Sequence, residues 1–66
     1  MNLDDVKGAI QDYDAVLHLD PEYTEAYYFR GLLKFELKDK QGACADWQKA
    51  AKYDRRAAKL LKKHYK

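Results

Sequence analysis

Cys44, His18 and His64 are the residues of this 66-residue chain whose types suit nucleophilic or metal chemistry. A thiol beside an imidazole can become a thiolate nucleophile, and histidine with cysteine can hold zinc. Their surroundings argue against both roles. Cys44 sits among Ala43, Trp47, Ala50 and Ala51, which recur on one helical face, and a cysteine packed there is an inert small hydrophobe. The two histidines stand far apart with no third ligand in register, so no metal site is expected. Gly8, Gly31 and Gly42 stand singly and do not form a phosphate-cradling loop. The residues therefore predict no catalysis, no cofactor and no metal, and a function that resides in surfaces.

Charge is the next lever on partners. The net charge is +2, yet residues 1–25 hold seven acids against one base, Lys7, and residues 55–66 hold six bases and no acid. An acidic head and a basic tail can steer complementary surfaces together. The tail RRAAKLLKKHYK suggests nucleic acid or an anionic membrane at first sight. Ala57, Leu60 and Leu61 look committed to packing, however, and the acidic first third would repel phosphate. No apolar run approaches the roughly 18 residues of a membrane span, and no basic-then-apolar leader pattern opens the chain. With one free cysteine, a soluble cytoplasmic protein of one small domain is the expectation.

The elements that position these residues read as helices. Asp5 is placed to cap a first helix in which Val6, Ala9, Ile10, Tyr13, Val16 and Leu17 recur at helical spacing. His18 suits its negative end, and Asp20-Pro21 ends it. A second helix from Pro21 or Glu22 to about Leu37 is apolar almost all round, which implies neighbours on more than one side. Asp39 is placed to cap a third helix over about 40–53, and Asp54 a short last one that turns Ala57, Leu60, Leu61 and Tyr65 inward. Short loops imply antiparallel neighbours, and the fold class is all-α.

One phrase occurs twice: LDDVKGAIQDY at residues 3–13 and LKDKQGACADW at 37–47. At this offset of 34 residues, Leu3/Leu37, Asp5/Asp39, Gly8/Gly42, Ala9/Ala43, Asp12/Asp46 and Asp20/Asp54 are identical, and Tyr13 faces Trp47. A 34-residue period with Pro21 closing a unit resembles the tetratricopeptide repeat, an antiparallel helix pair that stacks into an α-solenoid. In that frame residues 24–57 form a full repeat, with Tyr27 and Gly31 in its first helix and Ala43, Trp47 and Ala50 in its second. Residues 3–21 match the second helix of a partial repeat, and 55–66 resemble the solvating helix that closes an array. Arg30 stands where leucine is usual, Lys38 where glycine often ends the first helix, and Arg55 where a proline would follow. Arg30 is expected to pair with Asp46 or with its repeat-mate Asp12.

The resemblance implies a protein-binding module, with Glu25, Tyr28, Leu32, Phe35 and Glu36 on the groove side of the first helix. Tyr28 and Leu32 occupy the positions where relatives carry the lysine and asparagine that clamp a peptide's terminal carboxylate. Without that clamp, an apolar groove suits a hydrophobic peptide or another copy of the chain. Val6, Ile10 and Tyr13, together with Tyr28 and Leu32, are expected to expose an apolar patch, and such patches mark interaction sites. Self-association follows, with a dimer favoured and an antiparallel or head-to-tail pairing suggested by charge. The alternatives are a peptide-binding adaptor cut from a longer array and a nucleic-acid binder using the basic tail.

Overall fold

In the computed structural model, which describes residues 3–64, the chain is all-α. Four helices follow one another: α1 (Leu3–Leu19), α2 (Thr24–Glu36), α3 (Lys40–Ala51) and α4 (Arg55–His64), with no strand among the described residues. The expected inward packing of Tyr65 lies outside the described residues.

Two of the three predicted caps are present. The Asp39 carboxylate accepts from the Gly42 N–H at 3.0 Å, and Asp54 accepts from the Arg56 N–H at 2.9 Å. The Arg56 guanidinium also donates to Asp54 at 2.8 and 3.1 Å, which holds the Asp54 carboxyl below its usual range. Asp5 is not a cap. α1 already begins at Leu3, which places Asp4 and Asp5 in its first turn, where a carboxylate meets the positive end of the helix dipole.

α2 starts later than the proline suggested. The Asp20 carboxylate accepts from the Glu22 N–H at 3.2 Å, a side-chain turn that competes with helix and delays it to Thr24. At its other end Lys38 adopts φ 64°, the left-handed conformation that glycine usually supplies. The Lys38 N–H donates to the Phe35 carbonyl and the Asp39 N–H to the Lys34 carbonyl, both at 2.9 Å. These are the two bonds of a Schellman cap, closed here around a lysine.

Packing is sequential: α1 lies on α2, α2 on α3, and α3 on α4. The result is a slab of 28 × 26 × 15 Å. Its core is Trp47, Ala43, Cys44, Ala50 and Ala57, with Tyr27, Tyr28, Leu32, Leu60 and Leu61 packed around them. Trp47, 1% exposed, lies against Gly31 and donates from Nε1 to the Tyr28 carbonyl at 3.3 Å. The small residues of α3 thus let α2 approach, and one indole fills the space between them. Gly42 has another role: a Cβ there would collide with the capping Asp39 carboxylate, not with a neighbouring helix.

Candidate functional site

An apolar groove of about 400 Å³ opens between α1 and α2. Ala9 and Tyr13 line it from α1; Phe29, Leu32, Leu33, Phe35 and Glu36 line it from α2. The spacing explains the lining. Ala9 and Tyr13 are one α-turn apart, and 29, 32, 33 and 36 fall at i, i+3, i+4 and i+7. The Tyr13 and Phe29 rings stack at 6.1 Å, and Phe29 meets the edge of Tyr28 at 5.0 Å. Phe35 is 38% exposed at the other end, where it touches the His64 ring at 4.6 Å and Trp47 at 5.7 Å.

Of the residues expected at an interaction surface, Tyr13, Leu32, Phe35 and Glu36 line this groove. Val6 does not belong to any exposed patch. It is 2% exposed, because α1 turns Val6 and Leu17 inward when it packs on α2. Ile10 is half-buried outside the lining, and Glu25 is exposed and apart from it. Tyr28 belongs to the α4 side: the Arg56 guanidinium lies 4.3 Å over its ring, and Tyr28 packs against the core. Sequence reasoning missed Ala9, Phe29 and Leu33 as lining residues. Helical spacing from Tyr13 and Leu32 is the signal that links them.

An ionic knot ties the two helices of the groove, α1 and α2, to α3. Arg30 donates to Asp46 at 2.9 and 2.6 Å and to Asp14 at 2.7 Å. Lys34 adds a 3.4 Å contact to Asp46. The Asp46 partner is the expected one. The second carboxylate is Asp14, not Asp12, so α1 is tied in by the residue two positions beyond the repeat-mate. Hydrogen bonding to Asp46, foremost, raises the Arg30 guanidinium further above its already high range, against the effect of burial. The knot joins three helices of the fold, and its central carboxylate, Asp46, is buried.

A second cleft, about 370 Å³, lies where Pro21, Glu22, Thr24 and Tyr27 face Gln48, Lys49, Lys52 and Tyr53. Its lysines lie over aromatic rings, Lys49 at 5.2 Å from Tyr27 and Lys52 at 5.5 Å from Tyr53. It is the more polar of the two clefts. Among the described residues no group of three or more His, Cys, Asp or Glu is placed to hold a metal, and no helix is long and apolar enough to cross a membrane. Cys44 is buried in the core cluster. No family model matches this chain, and neither a curated protein nor a solved structure matches it.

Proposed function

We propose that this chain is a non-catalytic protein-interaction module of the tetratricopeptide kind, and that it associates with a second copy through the groove between α1 and α2. The observation that carries this reading is the groove itself. It is lined by apolar and aromatic side chains, with one carboxylate, Glu36, at its edge. α1 has α2 as its one extensive neighbour among the described helices, so the α1 side of the groove stays open. The 34-residue period, the Trp47–Gly31 contact and the sequential packing support the repeat-like character.

Light scattering on a sizing column tests the reading over about a hundredfold range of concentration, because association follows mass action. The expected result is a mass above 7.8 kDa that falls to the monomer on dilution. Ala9→Glu puts a charge into the groove without removing a core side chain, and it should leave a folded monomer at every concentration. A wild-type chain that is monomeric throughout refutes self-association and leaves the groove to a foreign peptide.

A further inference from the structure

Resting on that reading, we infer that the second copy meets the groove with the basic face of its α4, a head-to-tail pairing of unlike surfaces. α1 and α4 lie at opposite ends of the sequence of packed helices, since α1 packs on α2 and α4 on α3. On α1, Asp5 extends at four-residue spacing the row whose next members, Ala9 and Tyr13, line the groove. Asp12 flanks Ala9 three residues on, and Glu36 lines the groove from α2. Asp5, Asp12 and Glu36 are all exposed.

At the other end α4 is strongly two-faced. Ala57, Leu60 and Leu61 pack against the core, while Arg55, Lys59, Lys62 and Lys63 are exposed. Lysine stems cover apolar surface while their ammonium groups stay at the rim, so this face suits a groove that is apolar inside, with Asp5 and Asp12 along its α1 side and Glu36 on α2. α4 is also long enough to cover the α2 wall of the groove. At 1.5 Å per residue the ten residues of α4 span about 15 Å, and the α2 wall from Phe29 to Glu36 spans about 10 Å. A two-fold pairing of groove against groove would instead bring the Asp5, Asp12 and Glu36 set of one copy to the same set of the other, and like charges brought together oppose association. A head-to-tail contact also leaves one groove and one α4 free at the ends, so assembly continues past the dimer unless it closes into a ring.

Salt separates the two arrangements. Raising it to about 0.5 M cuts the screening length to a few ångströms. Under head-to-tail pairing this should weaken wild-type association by roughly tenfold, with helicity by circular dichroism unchanged. Groove-against-groove pairing would be strengthened. Charge reversal gives an independent readout. The combined Lys59→Glu, Lys62→Glu, Lys63→Glu variant and the combined Asp5→Lys, Asp12→Lys, Glu36→Lys variant should each be monomeric alone and should associate when mixed. Wild-type association that salt strengthens or leaves unchanged overturns the pairing while self-association stands, as does self-association of either variant. A wild-type monomer at every salt and concentration overturns both.

Discussion

Replacing Gly31 and Gly8 by alanine, one at a time, separates a packing glycine from an incidental one. A Cβ on Gly31 would lie 2.6 Å from Trp47 Cδ1 and 3.1 Å from the Ala43 carbonyl oxygen, well inside van der Waals contact. Trp47 is 1% exposed, so the ring has no solvent to retreat into. Either the indole shifts and stretches its 3.3 Å hydrogen bond to the Tyr28 carbonyl, or α2 and α3 move apart. Overpacking of this kind costs about 1–3 kcal/mol, and a weakened hydrogen bond about 0.5–1.5 kcal/mol. Alanine returns about 0.8–1 kcal/mol of helix propensity. The net expectation is a loss of about 0.5–3.5 kcal/mol. Gly8 has nothing within 4 Å of its would-be Cβ, so there the propensity gain of about 0.8–1 kcal/mol stands alone. For a domain of this size each kcal/mol moves Tm by about 4–8 °C. Thermal unfolding followed by far-ultraviolet circular dichroism, at one fixed protein concentration, should show Gly31→Ala melting earlier than wild type and Gly8→Ala later. Equal shifts in the same direction would refute the view that the indole occupies the space above Gly31.

Four further substitutions probe the ionic knot and the α2 cap. Asp46→Ala removes a carboxylate with 4% of its side chain exposed and leaves the Arg30 guanidinium with Asp14 alone, a loss of about 3–5 kcal/mol. Asp14→Ala removes a partner that is 54% exposed and should cost less than about 1 kcal/mol; urea unfolding midpoints should show that order. Lys38→Gly relieves the left-handed backbone at φ 64° and should stabilise by about 0.5–1 kcal/mol, seen as a raised melting temperature, while Lys38→Val at the same position should lower it.

The helix count and most of the ends were legible because short polar residues carried local signals. Asp39 and Asp54 cap helices in the structure as their positions predicted. Asp5 misled because a carboxylate is favourable both at a cap and in the first turn, and sequence does not separate the two. The Arg30–Asp46 pair followed from the 34-residue frame, whereas Asp14 did not, since that frame points to Asp12. The groove was half legible for a different reason. α2 is apolar nearly all round, so periodicity announced several neighbours without assigning faces to them. Arg56 of α4 lies over both Tyr28 and Phe29, yet only Phe29, with Leu33, lines the groove. Val6 was buried by the same uncertainty, because only the packing of α1 on α2 decides which of its apolar residues turn inward.

The sequential order of packing also governs how the molecule folds and opens. Helices that meet mainly their chain neighbours close short loops, and folds dominated by such local contacts form in microseconds to milliseconds. The same order makes opening directional. α1 has one extensive neighbour, α2, and gives no residue to the Trp47 cluster, so it can peel away while that cluster stays closed. α4, by contrast, carries Ala57, which is part of the cluster. Backbone amides of α2 and α3 should therefore exchange with solvent through the rarest openings, and those of α1 through frequent partial ones. The groove's α1 wall is then also the part of the molecule that detaches without disturbing the Trp47 core, and a partner seated against it would slow exchange in α1 first.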